Sequence, residues 1–335
     1  ERAILHAGVD ASRWIDLVAR KGRWHDDIES LLLDAFERCE PQIVEGREAL
    51  WESLRAPAAV ATLREDEAVR ARLEGLRERL APTDIVARHA WLFGGVRSGT
   101  FSKDWGENER IAEQKRTLAL HEIASSPTPW ATLMRFAERV QHEGTLGRHL
   151  ATSPLAEMVL ARVREGGEEL PLRRVQSAFL VKQIEERGDD WALDLLHALV
   201  RAERTDEVTE VVAWSGVSPR WWGLAERVDG AVADGYWKRA RVWAFSEFTE
   251  DEREEAARKL LLHGREAAML LALGSVEKIS VSSATLLEAL WCVARRPDAP
   301  ETAAVLRTDS FVWSVEQALL AVDRAGDVPD AHLAA

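Results

Sequence analysis

Apolar positions recur at helical spacing from one end of the chain to the other. In the segment opening at Trp130, the residues Trp130, Leu133, Met134, Ala137 and Val140 share one side of a helix, with polar residues between them. Segments opening at Trp14, Trp191, Trp221 and Trp313 follow the same pattern, so five Trp fall in the first turn of an expected helix. Period-two alternation is confined to Val276–Val281 and is short enough to be a connector. The pattern predicts an all-α protein, an α-solenoid-like stack of short antiparallel helix pairs, with roughly fifteen helices joined by turns of about 2 to 6 residues.

Punctuation residues set the expected boundaries. Asp10 or Ser12 caps the Trp14 helix and Gly22 closes it, while Thr128 with Pro129 opens another. Gly188 ends a helix running from Leu172 through Phe179 and Ile184, and Asp189 or Asp190 starts the next at once. Ser218 and Pro219 begin the Trp221 helix, and Thr249 with Glu252 is a capping box. The longest expected loop is Gly94–Gly106, GGVRSGTFSKDWG, which carries Phe101, Lys103 and Trp105. It divides the chain into a helical region over 1–93, the Gly-rich loop over 94–106 and a helical-repeat region over 107–335. Trp130, Trp191, Trp221 and Trp313 lie 61, 30 and 92 residues apart, close to multiples of about 30.6. Either a strict repeat or degenerate helix pairs accounts for that spacing. Such Trp rings are expected to fill the wedges between stacked pairs.

Composition narrows the partners. The 335 residues contain 14 Trp, 1 Tyr and 2 Cys, are 46% hydrophobic and 30% charged, and carry a net charge of −13. An acidic chain repels phosphate backbones and anionic headgroups at long range, which disfavours nucleic acid and membrane. Cys39 and Cys292 stand far apart in apolar helical segments, as expected of buried reduced thiols in the cytoplasm. Of the 44 basic residues 37 are Arg, a bias that suggests a G+C-rich, bacterial genome. The chain begins at Glu1 with helical pattern already under way, which reads as a segment of a longer protein.

Motifs for chemistry are sparse. Nothing matches a phosphate-binding GxxxxGK[ST] loop, His121-Glu122 lacks the second His of a zinc protease, and His89 reads as a helix-packing residue. Neither Cys has a nearby base. Carboxylates are spaced with Arg on helix faces, as Glu254 is with Arg258, and these read as solvated ion pairs. The segment Trp221–Phe245 is different. It interleaves Trp221, Trp222, Tyr236, Trp237, Trp243 and Phe245 with Lys238, Arg239 and Arg241. Such a patch could stack bases, but Tyr236, Trp237, Ala240 and Trp243 also fall on one helical stripe and so read as core.

RHAWLF at Arg88–Phe93, GYWKRARVWAF at Gly235–Phe245 and KLLLHGREAAMLL at Lys259–Leu271 resemble the helical, tetratricopeptide-like sensor arrays of very large bacterial proteins, antiviral STAND NTPases among them. The resemblance implies helical repeats that recognise a viral protein, downstream of an effector and an NTPase. His263-Gly264-Arg265 matches the tight turn between paired helices, whereas the full repeat signature is absent. The reading is a non-catalytic recognition or scaffold module without cofactor or metal, binding a protein partner or other domains of the same longer chain. Phe101, Lys103, Trp105, Arg220, Trp222, Lys238, Arg239 and Arg241 are its candidate contact residues. The alternatives are a nucleic-acid-binding array using Lys238, Arg239 and Arg241, and an enzyme whose carboxylate site is assembled only in the fold.

Overall fold

A computed structural model describes residues 34, 47, 51–52, 67–94, 105–166, 173–243, 245–274, 279–305 and 308–325. Among these residues there are sixteen α-helices and no strand, so the fold class is all-α. The expectations for the Trp14 helix, Gly22, Cys39, Phe101, Lys103 and residues 275–278 lie outside the described residues. The chain divides into two compact units, Glu1–Val175 and Gln176–Ala335.

In the first unit the helices are α1 (Glu67–Leu80), α2 (Ile85–His89), α3 (Trp105–Ala124), α4 (Pro129–Arg139), α5 (Glu143–Ala151) and α6 (Ala156–Glu165), with a 3₁₀ turn over Ala90–Phe93. Asp84 caps α2 by accepting from the Ala87 N–H at 3.1 Å and pairs with Arg135 of α4 at 2.9 Å. RHAWLF ends α2 and forms the 3₁₀ turn, which drives Leu92 and Phe93 into the core. There Phe93 meets Phe136 edge-on at 5.3 Å and His149 at 5.8 Å. Two basic side chains of that motif converge on one carboxylate: Arg88 donates to Glu122 at 3.0 Å and His89 Nε2 lies 2.7 Å from it. His89 thus packs, as expected, and its hydrogen bond to Glu122 also ties α2 to α3.

The second unit holds most of α7 (Arg173–Arg187), then α8 (Asp189–Arg201), α9 (Thr205–Trp214), α10 (Pro219–Val228), α11 (Gly230–Arg239), α12 (Glu250–Leu262), α13 (Glu266–Gly274), α14 (Ser283–Arg295), α15 (Pro300–Val305) and α16 (Asp309–Ala325). The predicted punctuation is present: Pro129 and Pro219 are first helical residues, and Gly188, at φ +90°, separates α7 from α8. Thr249 Oγ1 accepts from the Glu252 N–H at 3.3 Å while Glu252 accepts from the Thr249 N–H at 2.8 Å, completing the capping box.

From α8 onward many of these helices pack on the next and on the one after it, as α9 does on α10 and α11 and α12 does on α13 and α14. Ion pairs mark that two-helix step. Asp189 of α8 binds Arg220 of α10, Asp206 of α9 binds Arg239 of α11, Glu226 of α10 binds Lys259 of α12, and Arg265 beside α13 binds Glu301 of α15. The sequence separations are 31, 33, 33 and 36 residues. Interhelical ion pairs thus recur at a step of 31 to 36 residues, longer than the spacing of the Trp residues suggests. The Trp residues do not share one environment. Trp221 is buried, Trp130 and Trp191 are half-buried under the guanidinium groups of Arg162 and Arg187, and Trp313 is 49% exposed.

At the centre of the last bundle is α13, EAAMLLALG, apolar on all sides after its first residue. A helix with no polar face has to be enclosed, and eight of its nine residues are buried beneath α12, α14, α15 and α16. Small residues permit the close approach. A Cβ on Gly274 would collide with the side chain and Cα of Ser314 on α16.

Candidate protein interface

The aromatic and basic segment folds into a latch and not into an open surface. Trp222 is only 6% and Trp237 only 2% exposed; the two rings lie 5.5 Å apart, and Trp222 also meets Phe248 at 5.9 Å. Trp222 is therefore a core residue, contrary to its place among the expected contacts. Its helix, α10, carries its apolar residues on the inner face, and the ring next to Trp221 falls on that side as well. Tyr236 Oη donates to the Gly216 carbonyl at 2.9 Å and accepts from the Ser218 N–H at 3.2 Å, and burial pushes its phenol far above the ordinary range. Trp243 departs from the expected stripe. Because α11 ends at Arg239 and the chain turns extended at Ala240, Trp243 leaves the helical phase and lies over Gly216, 62% exposed.

The candidate cations Arg220, Lys238, Arg239 and Arg241 are already engaged. Lys238 donates to Asp234 at 2.6 Å, a bond that holds the Asp234 carboxyl below its usual range. Arg239 donates to Asp206 at 3.0 Å, and the Arg241 guanidinium stacks 4.2 Å from the Trp214 ring centroid. Arg220 makes two bonds to Asp189, at 2.9 and 2.8 Å, and a third to the Ile184 carbonyl at 3.2 Å. A phosphate here would have to displace a protein carboxylate or an aromatic face. Of the loop candidates, Trp105 begins α3, so the expected loop is helical from that residue on.

Acid and metal chemistry finds little assembled. Among the described residues no group of three or more His, Cys, Asp or Glu could hold a metal ion. Cys292 is a free thiol, half-buried where a buried one was expected, because it sits at the edge of the inner face of α14. A groove of about 350 Å³ along α12 is lined by Asp251, Glu254, Glu255, Arg258, Lys259 and Leu262. Its central carboxylate is committed to structure: Glu254 accepts from the Ser282 N–H at 2.8 Å, from Ser282 Oγ at 2.9 Å and from Thr285 Oγ1 at 2.8 Å. Burial raises the Glu254 carboxyl, but those donors together with Arg258 bring it below the ordinary range.

The apolar surface left in water is concentrated on α16. Phe311, Ser314, Ala318 and Val322 turn inward, and α13 and α14 cover them. On the other side Val312, Trp313, Leu319 and Leu320 are between 44% and 52% exposed. Trp313 was expected to be a buried wedge. It follows Phe311 by two positions, about 200° around the helix, and Phe311 holds the inward place. A signal for this face does exist in the sequence: nine of the twelve residues from Phe311 to Val322 are apolar. An ordinary one-faced helix needs only three or four per two turns. Comparison with models of protein families, with curated proteins and with solved structures finds no match to this chain.

Proposed function

We propose that the chain is a non-catalytic recognition module that binds protein through the outer face of α16. The observation that supports this reading is that face itself: four large apolar side chains of one helix stand in water, on a helix whose opposite side is already satisfied by α13 and α14. Contiguous exposed apolar surface on a folded protein marks a contact site. Protein is the partner that such a face selects: its own charged groups are Glu316 and Asp323, with Arg324 alone at its edge, so it lacks the basic surface that a phosphate backbone needs. The sensor role implied by the resemblance to STAND arrays is a special case of this reading, as is docking to another part of a longer chain.

Replacing Trp313 with the photo-reactive benzoylphenylalanine and irradiating cells that make the protein tests the reading. Discrete protein adducts, lost when Leu319 and Leu320 are changed to Ser, are the expected result. Adducts to nucleic acid, or none, would overturn it.

A further inference from the structure

Along the outer face of α16 apolar and acidic turns alternate. Val312 and Trp313 form one apolar level, Glu316 the next level, Leu319 and Leu320 a second apolar level, and Asp323 a fourth. At 100° and 1.5 Å per residue these six positions span about 120° of the helix surface and succeed one another every 5 Å or so along the axis. All six side chains are exposed, and among the described residues neither Glu316 nor Asp323 has an ion-pair partner. This sets them apart from Asp189, Asp206 and Asp234, which bind Arg220, Arg239 and Lys238.

We infer that this face takes an amphipathic helix of a partner protein in which pairs of apolar residues alternate, three to four positions apart, with Lys or Arg. The inference rests on the protein-binding reading above and adds the chemistry of the partner. Apolar levels would meet apolar levels, and each cation would face Glu316 or Asp323, which is how helices read one another across a groove. A second copy of the chain fits poorly. In most parallel and antiparallel registers that align two apolar levels an acidic side chain falls opposite another, Glu316 on Glu316, on Asp323 or on Asp309; the antiparallel register with Leu320 on Leu320 alone sets Arg324 against Glu316, and it leaves Asp323 facing Gln317. The residues that follow α16 fit no better, since 326–335 contain Asp327 and Asp330 and no Lys or Arg.

Three labelled helical peptides of about 18 residues test the inference by fluorescence anisotropy with the whole chain: one with Leu pairs and Lys at this spacing, one with Glu in place of Lys, and one with the Lys sequence scrambled. The Lys peptide should bind about tenfold more tightly than the Glu peptide at low salt, with the gap shrinking at 0.5 M salt. Glu316→Lys with Asp323→Lys should reverse the order, and Trp313→Ala should weaken both. Equal affinity for the Lys and Glu peptides, or a preference unchanged by the double Lys variant, would overturn the inference. So would sedimentation showing a dimer that Leu319→Ser with Leu320→Ser dissolves. Protein adducts at position 313 without any charge preference would sink the inference alone, whereas their absence would sink the protein-binding reading itself.

Discussion

The two Trp-bearing surfaces of the second unit exchange the roles that their sequences suggest. The segment from Trp221 to Phe245, dense in rings and cations, closes on itself: Trp222 and Trp237 are buried, and Lys238, Arg239 and Arg241 are spent on Asp234, Asp206 and Trp214. The last helix, α16, reads as one more amphipathic segment and yet leaves Trp313 half in water on a face that also carries Glu316 and Asp323, neither of them ion-paired among the described residues. The difference teaches that a rich mixture of aromatic and basic residues is not a site when most of its members have partners within their own fold. What marks a surface as available is apolar area in excess of what burial needs.

The sharpest contrast between these regions is energetic. Trp237→Ala and Trp222→Ala should each cost about 3 to 5 kcal/mol, because a large enclosed ring leaves a cavity, whereas Trp313→Ala should cost less than about 1 kcal/mol. Urea titration of the three variants measures both, and equal losses would erase the distinction. A second pair concerns glycine. Gly274→Ala drives a methyl group into Ser314 across the contact of α13 with α16 and should cost about 2 to 3 kcal/mol. Gly223→Ala, on α10 with nothing within 4 Å of the new Cβ, should instead stabilise by up to about 1 kcal/mol. Thermal unfolding that ranks the two the other way would mean that α13 and α16 are not in close contact.

Smaller effects test the elements that frame these regions. Thr249→Ala removes one half of the capping box of α12 and should cost about 1 kcal/mol in denaturant titration. His89 supplies a pH-dependent term. Its imidazole titrates below the ordinary range, chiefly because burial disfavours the cation, although Glu122 opposes this. A group whose folded pKa is depressed binds more protons when unfolded. The stability it contributes is present above the ordinary His range and is lost as pH falls through the depressed value. His89→Gln should flatten that part of the stability profile, and an unaltered profile would assign the slope to other groups.

How much of this was legible follows from range in sequence. Helix ends are local, so Thr249 with Glu252, Pro129, Pro219 and Gly188 announced boundaries that the fold keeps. The enclosure of α13 was legible too, since no side of Ala267–Leu273 is polar. Which side of α16 faces inward was not legible, because both sides are apolar and the choice is made by α13 and α14. The pairing of Arg220 with Asp189 or of Arg239 with Asp206 was equally hidden. These pairs join helices two apart, and helical spacing along the sequence reveals only partners three or four residues away. Trp243 was misplaced for a simpler reason: the helix stops at Arg239, and the periodicity was carried past its end.

The central claim is that the outer face of α16 is surplus to folding. The most direct measurement is the unfolding free energy of the free chain with Leu319→Ser and Leu320→Ser combined. If the face is open to water, the double variant should retain stability to within about 1 kcal/mol of the parent. A loss of about 4 kcal/mol or more, as expected for removing two enclosed Leu side chains, would show that the face is already covered within the chain and would contradict the account.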